Sequence, residues 1–279
     1  MSQRNRAEGW RHAKLTGHEN EALIESLTEN DSNIQSRILE CALKKNAVVK
    51  QVDFGGLKET DVDCVLGGKT KSKTDMHVYL EDGTSINISI KKSAGGQVYL
   101  IGIDRFIAGF EAQFNRIIPE KVKRALSLYF GNAEDVQAIV AEYGAKFKAY
   151  ETRKNRLTKE TMDRYDPSLS MALLEWVNSN VADLFAYCFS MGLASDKNDW
   201  ANVIWYRNEL KENEMDDLFY IPAIQAKMKP TAEYGTRTGG STIQLPFGFV
   251  QWHSPTKAIP GCMQFHHSYE KIKELTSEV

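Results

Sequence analysis

Cysteine is scarce in this chain: Cys41, Cys64, Cys188 and Cys262 are the only four in 279 residues. They lie far apart with no CxxC spacing, which argues against a zinc site and against a disulfide framework and leaves reduced, structural thiols. No run of 18 apolar residues occurs, and the opening Met1-Ser2-Gln3-Arg4-Asn5-Arg6 leads into polar residues, not a signal-peptide core. The expectation is a cytoplasmic protein with no membrane partner. Excess charge is also lacking, with 35 basic against 37 acidic residues and a net charge of -2. Total charge therefore advertises no polyanion binder, and phosphate affinity would have to come from local clusters. Such clusters exist at Lys69 to Lys73, Lys91-Lys92, Arg116 to Arg124 and Lys146 to Lys159. An acidic counterpart, Glu209, Glu212, Glu214, Asp216 and Asp217, reads as a solvated loop or helix end. Internal repeats and low-complexity tracts are absent.

What is present is a globular composition, 42% hydrophobic and 26% charged, able to bury a full core. Apolar spacing predicts helices over 19–27 and 32–45, the second using Ile34, Ile38, Cys41 and Ala42. Strands follow at 48–54, 62–66 and 97–103, with a hairpin between the last two. Helices resume after Asp104, with Phe106, Phe110, Phe114 and Ile117 at helical spacing, and Pro119 opens another over 120–130. Long amphipathic patterns cover 135–164 and 169–191, divided at Asp166-Pro167. Strand character returns at 203–206, 219–224 and 241–251, and a short helix over 268–276 ends the chain. The pattern predicts an α/β fold, a mixed central β-sheet flanked by helices, with a helical middle and a strand-rich C-terminal third. It reads as a single domain over 1–279, divided into a core at 1–130, a helical region at 131–195 and a candidate recognition region at 196–279. A composition shift near residue 195 is the boundary candidate.

The hairpin carries the chemistry. Met76, Val78 and Leu80 alternate with Asp75, His77 and Tyr79, and Ile86, Ile88 and Ile90 alternate with Ser85, Asn87, Ser89 and Lys91, so one face is apolar and the other polar. Keeping apolar residues together requires partner numbers with an even sum; 166 places Leu80 with Ile86 and closes the loop with Asp82-Gly83-Thr84. That register sets Asp75 across from Lys91 and His77 across from Ser89. Phosphodiester hydrolysis needs a divalent cation on hard oxygen ligands and a positive group near the reacting centre. Asp75 suits the anchoring ligand, the Ile90 carbonyl a further one, and Lys91 the group that orients or activates water.

At these residues the chain resembles the PD-(D/E)xK nuclease superfamily, and most closely the type II restriction endonucleases. Thr74-Asp75 matches the first half of the motif, Ser89-Ile90-Lys91 the second, and Glu21 the helical Glu that often precedes them. Thr74 stands where Pro is common, and Ser89 where an acid is expected. Some family members carry Ser-x-Lys and take the missing carboxylate from further along, for which Asp104 and Glu111 are candidates. The resemblance covers about residues 15 to 115. It implies a magnesium-dependent endonuclease that cuts double-stranded DNA at a specific sequence as a homodimer, with Asp75, Lys91, Ser89 and Glu21 catalytic and Asp75, Ile90, Asp104 and Glu111 at the metal. A structure-selective repair or phage nuclease, and a DNA-binding protein that has lost catalysis, are the alternatives. Residues suited to DNA contacts are Lys73, Asn87 and Lys92 near the hairpin, and Arg237, Gln244 and Gln251 further on, since Arg, Asn and Gln read base edges. Gly239-Gly240-Ser241-Thr242 lacks the Lys of a phosphate-binding loop. His266-His267 and His253 near Cys262 match no zinc spacing.

Overall fold

The computed structural model describes residues 19–54, 61–144, 156–210, 215–252 and 261–277. Helices α1 (19–30) and α2 (Ser32–Cys41) lead into strands β1 (Val49–Phe54), β2 (Asp61–Asp63) and β3 (Lys69–Lys71). The hairpin strands β4 (Met76–Leu80) and β5 (Ser85–Lys91) follow, then β6 (Gly95–Gly102). Among the described residues the helices that come next are α3 (Ile103–Phe114), α4 (Glu120–Phe130), α5 (Val136–Tyr143), α6 (Lys159–Tyr165), α7 (Pro167–Ser179) and α8 (Val181–Ala186). Beyond a π turn at Tyr187–Met191 lie β7 (Val203–Arg207), β8 (Asp216–Tyr220) and helix α9 (Ile221–Lys227). Strands β9 (Glu233–Tyr234), β10 (Thr242–Leu245), β11 (Gly248–Trp252) and β12 (Cys262–Ser268) precede the last helix, α10 (Tyr269–Ser277). Among the described residues no helix is long and apolar enough to cross a membrane.

The elements form two compact units, each assembled from two separated stretches of chain. The first takes residues up to Ala94 and Phe189–Ile224, and the second takes Gly95–Cys188 and residues from Gln225 onward. The first unit is built on a sheet of order β1-β4-β5-β7-β8. Its β5 and β7 run parallel while the other neighbours are antiparallel, so the expected α/β fold with a mixed central sheet is what forms. One face is covered by the first two helices: Ile24, Ile34, Ile38 and Leu39 share a buried cluster with Met76, Val78, Ile86, Ile88, Val203 and Trp205. Stripes with helical spacing thus meet the period-two face read from the hairpin, and burial of apolar surface holds them together. The second unit has an all-antiparallel sheet of order β6-β12-β11-β10-β9. Phe106, Leu126, Phe130, Leu173 and Trp176 of its helices surround the same small apolar space as Ile243, Val250, Met263 and Phe265 of its sheet.

Several elements differ from expectation for identifiable reasons. Helix α2 ends at Cys41 and not at 45, because Leu43 turns left-handed at φ 59°. The Lys44 amide then donates to the Leu39 carbonyl at 2.8 Å and the Leu43 amide to Glu40 at 3.1 Å, the paired bonds of a Schellman stop. The strand expected over 219–224 ends at Tyr220, and Pro222 enters the first turn of α9, where its missing N–H costs no hydrogen bond. Residues 241–251 make two strands turned at Pro246-Phe247, and β12 was not expected. The expected divisions at 130 and 195 do not coincide with the two units, because β7 and β8 complete the first unit's sheet while β9 to β12 belong to the second.

The hairpin register is a correction as well. Met76 pairs with Ile88, His77 with Asn87 and Val78 with Ile86, so partner numbers sum to 164, not 166. Parity holds and the apolar face is intact, but the loop is Glu81-Asp82-Gly83, closed by a 2.9 Å bond from the Leu80 amide to the Thr84 carbonyl. Three-residue hairpin loops place a left-handed residue last; Gly83, at φ 83°, takes that position. Asp82 fixes the turn by accepting from both the amide and the hydroxyl of Thr84, at 2.8 and 2.6 Å.

Candidate active site

Asp75 stands just before β4, its amide donating to the Ile88 carbonyl at 2.8 Å. Its approach is held from behind, since the hydroxyls of Ser72 and Thr74 both donate to the Asp199 carbonyl, at 3.2 and 3.1 Å. Thr74, in the position where proline is common in the resembling family, thereby supplies a tether. In the observed register Asp75 falls beside Ser89 instead of across from Lys91. Its Oδ2 accepts from the Ile90 amide at 2.7 Å and from the Ser89 hydroxyl at 3.3 Å. The Lys91 ammonium is 2.6 Å from Ser89 Oγ, 3.2 Å from the Ile90 carbonyl and 3.9 Å from Asp75 Oδ2. Asp75 and Lys91 therefore meet as expected, through Ser89. The Lys91 side chain is only 18% exposed, so this pair is not the freely solvated surface bridge that contributes little.

Glu21, in the first turns of α1, joins them. Burial pushes its carboxyl up to about 7, the charge of Asp75 adds to the effect, and Lys91 and Lys92 pull the other way. Two acids and two bases of the first unit thus act on one another at the end of β5. Lys92 is placed in that field, and its carbonyl accepts from Asn208 Nδ2 at 3.1 Å; Lys73 is half-buried one residue before Thr74.

Asn87, expected at a DNA contact, is 2% exposed. Its Nδ2 donates to the carbonyls of Asn198 and Trp200 at 2.6 and 3.0 Å, and its Oδ1 accepts from Ser85 and lies 2.9 Å from His77 Nδ1. That amide is spent holding residues 198–202 over the polar face of β5, which corrects the expectation. His77 stacks on Tyr79 at 5.8 Å and faces Asn87, not Ser89.

The other candidates belong to the second unit. Asp104 accepts from Asn132 Nδ2 at 3.0 Å. Glu111 accepts from the Ile118 amide at 2.8 Å and pairs with Lys123 at 3.0 Å. Burial would raise its pKa, but these two partners outweigh it and hold Glu111 below the usual range. Gln244 and Gln251 lie on the face of the second sheet opposite its core, with Thr242, Phe249, Gln264 and His266. Gln251 donates to Gln264 at 3.1 Å and Gln264 to Gln97 at 2.8 Å, a ladder of amides across three strands. His266 stacks on Phe249 at 4.4 Å. Arg237 is exposed ahead of β10. Residues 145–155 of the basic stretch, Glu212 and Glu214 of the acidic one, and His253 lie outside the described residues.

Two residues that sequence reasoning missed are Asn20 and Asn208, whose side chains fasten the neighbours of Glu21 and Lys91. Their partners are more than a hundred residues away, so no local pattern could have marked them.

The site's oxygens are Asp75, Glu21, the Ser89 hydroxyl and the Ile90 carbonyl. Among the described residues no group of three His, Cys, Asp or Glu side chains is preformed for a metal. Magnesium needs no such group, since one or two carboxylates and a carbonyl suffice when waters complete the shell. A buried Glu21 carboxyl whose ionisation the Asp75 charge opposes, beside hard neutral donors, fits a small divalent cation.

No model of a known protein family matches the chain, and no curated protein matches it in sequence. Among solved structures it is similar to the restriction endonuclease MspI in complex with its cognate DNA. The two share 13% identity over 87% of this chain and 83% of that one, with a TM-score of 0.48. A likeness at that level assigns no activity to this chain.

Proposed function

We propose that the chain is a magnesium-dependent endonuclease that hydrolyses double-stranded DNA at a specific sequence, in the manner of a type II restriction enzyme. The observation that carries this reading is the meeting of Asp75, Ser89, Lys91 and Glu21 at the end of β5, with the Lys91 side chain only 18% exposed and one acid displaced to about 7. Displaced acids beside a specific charge partner are a mark of functional sites.

Asp75, Glu21 and the Ile90 carbonyl would hold the magnesium, which when bound supplies positive charge at the scissile phosphate and acidity to a water ligand. Lys91 brings a positive charge to the reacting phosphate, stabilising the negative charge that gathers there. Ser89, in hydrogen-bond contact with both Lys91 and Asp75, orients the ammonium. The Ile90 amide fixes the Asp75 carboxylate, so the oxygens are held before substrate arrives. Lys73 and Lys92 suit phosphate contacts, and the amides of Gln244 and Gln251, with Arg237, suit base edges. Cutting both strands of a palindrome calls for two such sites on a two-fold axis, hence a homodimer.

Digestion of a plasmid of known sequence with magnesium tests the reading. Discrete fragments with reproducible ends are expected. A smear would favour a structure-selective nuclease, and binding without cutting would favour a lapsed DNA-binding protein, the reading raised by Ser89 in place of an acid.

A further inference from the structure

Asn20 directly precedes Glu21 and is 1% exposed. Its amide does not serve its own helix. Nδ2 donates to the Arg207 carbonyl at 3.0 Å and Oδ1 accepts from the Glu209 amide at 2.6 Å, partners 187 and 189 residues away. Arg207 to Glu209, the chain leaving β7, is itself fixed. The Arg207 guanidinium pairs with Glu209 and with Asp216 at 3.1 Å and lies 5.2 Å over the Trp205 ring. Trp205 Nε1 donates to Asp216 at 2.8 Å, and Arg37 bonds the same carboxylate at 2.7 Å. Asn208, between the two residues that hold Asn20, donates to the Lys92 carbonyl at 3.1 Å. One rigid three-residue segment therefore grips the residue next to Glu21 and the residue next to Lys91.

We propose that Asn20 is a positioning residue that sets Glu21 of α1 against Asp75 and Lys91 through the segment Arg207-Asn208-Glu209. The role rests on the reading of that site as hydrolytic and metal-binding. Both bonds run to main-chain groups, so they fix the first turns of the helix in direction as well as distance. Partners behind a metal ligand commonly change metal affinity or activity by about 10- to 100-fold when removed.

The experiment places Asn20→Ala in the full chain, alone and together with Glu21→Gln. Calcium affinity is read by calorimetry, kcat and KM by magnesium-dependent plasmid cleavage, and Tm by thermal unfolding. Expected is calcium binding weakened by about 10-fold or more and a fall in kcat with KM for DNA unchanged. In the Glu21→Gln background the same substitution should change neither quantity, since the group it positions is gone. Equal losses in both backgrounds would show a role in folding alone and overturn the proposal, as would an unchanged Asn20→Ala. If that variant unfolds at the assay temperature, Asn20→Asp, which keeps the acceptor for the Glu209 amide, is judged in both backgrounds by the same criterion. A native chain that neither binds calcium nor cuts DNA overturns the hydrolase reading and this proposal together, before any Asn20 variant is compared.

Discussion

Replacing Glu21 by Gln should make the protein more stable and less active, with a pH dependence that identifies the cause. The Glu21 carboxyl titrates at about 7 in the folded chain against an ordinary 4.5, chiefly because it is buried. Below about pH 4.5 it is protonated in both states and costs nothing. Between about pH 4.5 and 7 the folded state keeps a proton that the unfolded state has released, so stability falls as pH rises. Above about pH 7 the loss is complete and amounts to about 3 kcal/mol. Gln has nearly the same shape and never ionises. Glu21→Gln should therefore raise Tm by several degrees at about pH 8, and by about a third as much or less at about pH 5. Magnesium-dependent cleavage should fall by about 100-fold or more. Thermal unfolding of the two proteins at both pH values, in chelator, is the assay. A gain of equal size at both pH values, or a loss at about pH 8, would refute the argument that an ionised Glu21 is held against its preference.

Other expectations are more local. Ser89→Asp places another acid within reach of Asp75, whose charge already opposes the ionisation of Glu21; it should lower Tm in chelator, and added magnesium or calcium should restore Tm by more than it does in the native chain. No greater metal-dependent rise than in the native chain would argue against a cation at these oxygens. Leu43→Gly removes a side chain that is 74% exposed from a left-handed position at φ 59°, and should raise stability by up to about 1 kcal/mol, read by chemical denaturation. Ile88→Ala opens a cavity in the sheet core, where Ile88 is 0% exposed, and should lower stability by about 2 to 5 kcal/mol in the same assay.

Much of the first sheet was legible because alternation is a local signal. Met76, Val78 and Leu80 against Ile86, Ile88 and Ile90 fixed which face is buried and that partner sums are even. Parity could not choose between 164 and 166; that choice lay in the need of a three-residue loop for its left-handed residue in last place, which Gly83 supplies. The meeting of Asp75 with Lys91 survived the shift, because Ser89 lies between them and contacts both. Helix α4 was legible from Pro119 to Phe130 for the same local reason. What sequence did not disclose was long-range. β7 adds to β5 in parallel after the chain has passed through most of the second unit, and neither spacing nor composition records such a return. Asn87 looked like a recognition residue because its type suits base edges; only residues 198–202, packed on it, reveal that its amide is consumed. Asn20 looked like one more polar residue of a helix, and its partners beyond β7 give it its role.

Asp75 and Lys91 are the two side chains on which the proposed hydrolysis at this site depends. The most direct measurement is plasmid cleavage by the native chain, Asp75→Ala and Lys91→Ala, each with magnesium and with chelator, after thermal unfolding has shown that all three are folded. Cleavage by the native chain with magnesium only is expected, with a loss of about 100-fold or more in both variants. Cleavage by either variant at the native rate, or by the native chain in chelator, would contradict the proposed mechanism.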